Sequence, residues 1–173
     1  MYYHLKIESG AEYMDIKEFI SNFKNHPVLF VGAGMSLRYI NNSYSWDGLL
    51  KKIAHDLTGN DEFFYDVKSK YEVQSGVFNY QSIASDIEIK FNETLIQDRY
   101  GKFKNVNDKF YKQMSKNINV SRFKIYISEL LKDMHYKNES EIDELRKARK
   151  NISSIITTNY DTLLEEVFEF KPF

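Results

Sequence analysis

The sequence predicts an α/β fold: a parallel sheet built from two strand–turn–helix units that bracket a large helical insert. Three observations carry this. The run "VLFVGAG" (28–34) is continuously apolar and ends in glycine, the pattern of a strand buried on both faces. The run "ISSIITT" (152–158) is β-branched and uncharged, which reads as a second buried strand. Between them, residues 61–150 repeat apolar positions at three- and four-residue spacing, the period of helices.

Taken in order, residues 1–14 read as a leader or an edge strand. In "MDIKEFISNFKN" (14–25), Ile16, Phe19, Ile20 and Phe23 form an amphipathic helical stripe, and Pro27 stops its continuation. The first unit, residues 26–60, continues through the glycine turn into "SWDGLLKKIAHDLTGN" (45–60). There Ser45 is the expected N-cap, Leu49, Leu50, Ile53, Ala54 and Leu57 the apolar face, and Gly59 the C-cap. In the insert, "YQSIASDIEIKFNETLIQDRY", "VSRFKIYISELLKDMHY" and "ESEIDELRKARK" read as helices, and the only turn cluster expected surrounds Gly101. The second unit, residues 151–173, ends in "NYDTLLEEVFEF", with Leu163, Leu164, Val167 and Phe168 at helical spacing. Both turns fall at the carboxyl ends of their strands, the edge at which open parallel sheets bind ligands.

Composition narrows the function. An apolar fraction of 42% and 28% charged residues suit a packed globular chain, and a net charge of −1 provides no global field for nucleic acid, so direct nucleic-acid binding is not expected. With no cysteine, disulfides, thiolate metal sites and thiol nucleophiles are excluded. His4, His26, His55 and His135 stand singly, without metal-ligand spacing, so no metal is expected. No apolar run has the length of a membrane span and the start lacks a signal-peptide core, which makes a cytoplasmic protein the expectation. Abundant Lys, Asn, Ile, Tyr and Phe suggest an AT-rich, bacterial genome.

In "FVGAGMS", Gly32 can take dihedrals closed to residues with a Cβ, and Gly34 lets a ligand approach the backbone. The backbone N–H groups that follow favour an anion, and the Ser36 hydroxyl can add a donor. The third glycine of a dinucleotide fingerprint is replaced by Leu37, and no Walker lysine follows, so a tight strand–helix turn without a ligand is the alternative reading of the stretch. Arg38 can reach a diphosphate or sit in solvent. Trp46, the single tryptophan, can stack on a ligand or anchor the core. In "ITTNYD", Thr157, Thr158, Asn159 and Asp161 offer hydroxyl, amide and carboxylate groups to one polar ligand, or Asn159 and Asp161 simply cap the next helix.

As an ordered set, "VGAGMS", "SWDGLL" and "IITTNYDTLLEE" resemble the sirtuin-like NAD-binding domains, and most of all the bacterial anti-phage defence branch. The resemblance implies a Rossmann-like sheet, with NAD phosphates held at Gly32, Ala33, Gly34 and Ser36. It further implies the nicotinamide ribose near Thr157, Asn159 and Asp161, with Asn159 and Asp161 as the catalytic pair. Deacylases of the family carry glutamine before the asparagine, where this chain has Thr158. That departure implies the defence branch, a hydrolase that splits NAD into nicotinamide and ADP-ribose. Its expected partners are further copies of itself or an associated sensor protein. The family's histidine base lies in a His-Gly motif after the next strand, and no His-Gly occurs here. The chain is therefore expected to be the amino-terminal part of a longer protein, incomplete on the C-terminal side of its sheet and inactive alone. A binding module for NAD or ADP-ribose without catalysis is the alternative. Protein deacylation, which uses a cysteine-built zinc ribbon in most relatives, is less favoured.

Overall fold

A computed structural model describes residues 27–133 and 135–172. The expected leader, the 14–25 helix, and His4 and His26 lie outside these residues. The described chain is mixed α/β, with helices predominating over a two-stranded parallel sheet and a short hairpin.

Strand β1 (Val28–Val31) runs into helix α1 (Ala33–Tyr39), and α2 follows at Trp46–Thr58. Ser45 caps α2 as expected: its side chain accepts from the Gly48 N–H at 3.1 Å, and Gly59 closes the helix at φ 83°, a left-handed conformation that favours glycine. Helix α3 (Glu62–Lys70) leads into a hairpin, β2 (Glu72–Gln74) and β3 (Val77–Phe78), followed by α4 (Tyr80–Gln97), α5 (Lys104–Met114) and α6 (Arg122–Leu130). Helix α7 (Glu139–Lys147) continues as a single 3-10 turn, Ala148–Asn151, into β4 (Ser154–Thr157) and α8 (Leu163–Phe168).

The hairpin departs from the expectation that the insert holds no turn outside the Gly101 region. Gly76 adopts φ 76°, and its N–H donates to the Glu72 carboxylate at 2.8 Å, so one Ser-Gly pair reverses the chain. The "VSRFKIYISELLKDMHY" helix also ends sooner than its apolar spacing suggests, at Leu130.

β1 and β4 pair in parallel, Val28 opposite Ser154 and Val31 opposite Thr157. This register brings both carboxyl ends to one rim. The expectation that both strands are buried on two faces does not hold among the described residues. Val31 is buried, with Leu29 and Ile155 packed beside it, whereas Val28, Phe30 and Ile156 are 55%, 71% and 55% exposed. Successive side chains alternate faces in a strand, and the described helices cover only one of them.

Two hydrophobic clusters result. One gathers α2 to α6 around Ile53, Phe64, Ile83, Ile87 and Phe91. Phe91 stacks on Tyr126 (5.2 Å between centroids) and meets Phe103 and Phe123 edge-on. The other joins the sheet to α7 and α8 through Val31, Ile40, Ile142, Leu163 and Phe168.

Asp56 ties the first cluster together. It accepts from Tyr126 Oη at 2.8 Å and pairs with Lys52, while Lys102 Nζ donates to its backbone carbonyl at 2.7 Å. Burial by itself raises the Asp56 pKa, but the hydrogen bonds from Lys52 and Tyr126 and the charges of Lys52 and Lys102 reverse this and hold it below the usual value. A carboxylate with a lowered folded pKa stabilises above its unfolded pKa of about 3.9, and that contribution disappears as pH falls through the folded pKa. Asp56→Asn is therefore expected to cost about 1 kcal/mol at pH 7, roughly 2–4 °C in Tm for a chain of this size. As pH falls below the unfolded value of about 3.9 the gap to the parent protein should narrow, which a series of thermal melts at falling pH checks.

Candidate functional site

The glycine turn is less strained than its sequence suggests. Gly32 caps α1 at φ −110°, ψ −177°, an extended conformation open to any residue, and the described glycines with positive φ are Gly59 and Gly76. The expectation that Gly32 uses dihedrals closed to a Cβ is corrected accordingly. Nor does packing demand glycine: a Cβ built at Gly32 or Gly34 meets nothing within 4 Å. Gly34 even lies within a helix, where it is less favourable than alanine. Neither backbone conformation nor neighbouring atoms therefore require these two glycines.

The second turn continues the sheet before leaving it. The Thr158 N–H donates to the Val31 carbonyl at 3.3 Å, and the Asn159 N–H donates to Thr157 Oγ1 at 3.0 Å. Thr157 thereby fixes the direction in which the Asn159 side chain leaves the strand.

The two turns then bond directly to each other. Asn159 Nδ2 donates to the Gly32 carbonyl at 3.2 Å and to Ser36 Oγ at 2.9 Å. Ser36, 2% exposed, donates its hydroxyl hydrogen bond to Asp161 Oδ2 at 2.7 Å. The other Asp161 oxygen accepts from the Leu163 N–H at 3.2 Å and so anchors the start of α8. A carbonyl can only accept, so the Gly32 contact identifies the Asn159 NH2 and turns Oδ1 the other way. Asn159 Oδ1 is buried and accepts no hydrogen bond from the described residues. A buried acceptor in that state carries a cost of about 1–3 kcal/mol, which a donor on a ligand removes.

Beside this network lies a cavity of about 150 Å³. Ala33, Ser36, Thr158, Asn159 and Asp161 form the sheet side, and Tyr44, Ser45, Trp46, Leu49 and Leu131 come from the helical side. Tyr160 completes the rim and meets the Trp46 ring edge-on at 5.6 Å. Both rings are exposed, Trp46 41% and Tyr160 66%, so an aromatic pair borders the opening.

Six of the residues picked from sequence thus share one cavity: Ala33, Ser36, Trp46, Thr158, Asn159 and Asp161. Gly32 contributes its carbonyl, Gly34 lies in the adjoining turn of α1, and Thr157 acts through the Asn159 backbone. Arg38 does not join them. It pairs with Glu141 of α7 at 3.2 Å, and the hydrogen bond to Glu141 raises its pKa. The reason is helical geometry: residues two apart in α1 point about 200° from each other, so Ser36 and Arg38 cannot face one ligand. Tyr44, Ser45, Leu49, Leu131 and Tyr160 were not expected at the site, although Tyr160 stands inside the "TTNYD" stretch. Leu131, arriving from the end of α6, carries no local signal.

The described histidines stand apart from the cavity lining. His55 pairs with Asp61 at 2.8 Å, and His135 is exposed, with its backbone carbonyl accepting from the Asn41 N–H. Among the described residues no group of three or more His, Cys, Asp or Glu side chains is arranged to hold a metal, and no helix is long and apolar enough to cross a membrane. The chain matches no protein-family model, no curated protein and no solved structure.

Proposed function

We propose that the paired turns hold NAD and that the protein hydrolyses it to nicotinamide and ADP-ribose, as the effector of a bacterial anti-phage system. The observation that carries this reading is the direct contact between two motifs far apart in sequence: Asn159 bonded to Gly32 and Ser36, beside a cavity with an orphaned Asn159 Oδ1. The resemblance to sirtuin-like domains gives the same two motifs to one NAD. On this reading β1 and β4 are neighbouring strands of a Rossmann-like sheet.

A cavity of about 150 Å³ is small against the ~300–1,000 Å³ of ordinary ligand pockets, so it suits the nicotinamide riboside end of NAD and leaves the diphosphate to run over the glycine turn. There the bare backbone at Gly32 and Gly34 leaves room that side chains would take. Water attacks C1′ of the ribose through an oxocarbenium-like state, and as the C1′–O bond forms its surplus proton is released to solvent. The C1′–N bond breaks with its electron pair returning to the pyridinium ring, so nicotinamide departs neutral and needs no acid. Asn159 Oδ1 accepts from a ribose hydroxyl or from the attacking water, while its amide NH2 stays fixed by Gly32 and Ser36. Asp161 acts as a positioning residue through Ser36 and the Leu163 amide. Trp46 and Tyr160 shield the opening from solvent.

The test is titration of NAD into the purified protein, with nicotinamide and ADP-ribose release followed in the full-length protein under triggering conditions. The absence of both binding and release overturns the proposal. Binding without release in the full-length protein favours the non-catalytic module. Gly34→Ala separates ligand from fold. The variant should melt at the parent temperature or slightly above, because alanine gains up to about 1 kcal/mol in a helix. Its NAD affinity should fall at least about tenfold, a loss of 1.4 kcal/mol or more. Unchanged affinity removes the glycine turn from the site.

A further inference from the structure

A second concavity lies on the helical block, in the hairpin formed by α5 and α6, and the proposed NAD chemistry does not use it. Its volume is about 560 Å³, larger than the cavity at the sheet rim. Lys109, Lys112 and Lys116 border it from α5 and the turn after it, and Lys124 and Lys132 from α6 and its end. The lining contains a single carboxylate, Glu129, which lies 2.6 Å from Lys109 Nζ. Lys112, Lys116, Lys124 and Lys132 have no ion-pair partner among the described residues. Four unpaired cations thus converge on one groove in a chain whose net charge is −1. Like charges gathered this way repel one another unless an anionic partner lies between them.

Besides the lysines and Glu129, the lining holds three apolar residues and the uncharged Gln113 and Ser128. The apolar residues are Ile118, Val120 and Ile125, and Ile118 is 49% exposed. The lining contains neither an aromatic ring nor an arginine. Single-stranded nucleic acid would want stacking platforms, and phosphate recognition favours the arginine fork. An apolar strip between two rows of flexible lysines instead matches a helix with apolar anchors on one face and carboxylates beside them. Among the described residues a second copy offers α4, but its exposed Ile89 and Ile96 stand seven residues apart with Asn92 and Glu93 between them, two anchors rather than a continuous apolar strip. The acidic residues of α7, Glu139, Glu141, Asp143 and Glu144, stand on a helix whose Ile142 is fully buried, and α8 buries Leu163, Leu164, Val167 and Phe168.

The geometry points to the α5–α6 groove as a docking site for an acidic amphipathic helix of a different protein. The site is independent of the NAD reading and is tested without it. The probe is a synthetic helix with leucines at i, i+3, i+4 and i+7 and glutamates elsewhere, titrated into the purified full chain. Polyglutamate and duplex DNA serve as the comparison ligands. The leucine–glutamate helix should bind at least about tenfold tighter than polyglutamate, with an affinity that falls as salt rises. Lys112→Glu combined with Lys124→Glu should weaken binding at least about tenfold, and Ile118→Asp by a similar factor. All three positions are exposed, so melting curves should match the parent; the Lys112→Gln and Lys124→Gln pair supplies a milder form of the charge test. Absence of binding, equal binding of polyglutamate, tighter binding of duplex DNA, or indifference to these substitutions overturns the assignment.

Discussion

Asn159→Ala is expected to lower NAD turnover by about 100- to 1,000-fold, the range seen when one fixed polar group is removed from a reacting centre. The side chain ties together two turns 127 positions apart, since its NH2 reaches the Gly32 carbonyl and Ser36 Oγ while Oδ1 is the buried acceptor that the proposed ligand would satisfy. Alanine removes both functions. Stability should change little, because two partly exposed hydrogen bonds are lost and the cost of an orphaned acceptor disappears with them. Asn159→Asp makes a sharper version of the test. It keeps the size but cannot donate to the Gly32 carbonyl, and it sets a second carboxylate near Asp161, which also contacts Ser36. Both variants should therefore lose nicotinamide release, measured by product chromatography, while keeping the parent melting temperature to within a few degrees. Parent-like turnover in either excludes Asn159 from the chemistry.

Phe91→Ala is expected to destabilise the protein by about 3–5 kcal/mol, a large share of the roughly 5–15 kcal/mol that holds a typical domain together. Phe91 is fully buried, and its ring contacts Phe103, Phe123 and Tyr126 at centroid distances of 5.0, 5.9 and 5.2 Å. Those neighbours come from α6 and from the loop between α4 and α5, so no single movement refills the space. Phe91→Leu should recover more than half of the loss, because most of the volume returns. Denaturant melts of the two variants measure the difference. A loss below about 1 kcal/mol for the alanine variant contradicts the packing of this cluster.

The parts of the fold legible in the sequence are those fixed by local chemistry. Helix α2 declares itself through the Ser45 cap, the apolar face and the left-handed Gly59, and each appears as expected. The two strands are recognisable from their β-branched and apolar runs, and their parallel pairing follows from the strand–turn–helix units. The hairpin at Glu72–Phe78 is hidden because two residues, Ser75 and Gly76, make the reversal within a stretch of helical period. The exposure of Phe30 and Ile156 is equally hidden, since the sequence records apolarity and not which neighbours cover it. At the candidate site, Ser36, Asn159 and Asp161 come together because a parallel register aligns the ends of their strands. Arg38 stands away from the cavity because the chain winds into a helix from Ala33 onward and turns this side chain toward Glu141. Leu131 and Tyr44 reach the cavity through tertiary packing alone.

The pairing of Val31 with Thr157 also dictates an order of events during folding. Helices α2 to α6 pack mainly on one another through neighbours in sequence, so this block gathers early from short loops. The sheet closes only when β4 has been made and finds β1 across the whole intervening block, a long loop whose closure is entropically disfavoured. A nascent chain that ends before residue 154 therefore carries a helical core and a glycine turn with no asparagine opposite it. Synthesis must run nearly to the end of this sequence before the two halves of the pocket meet.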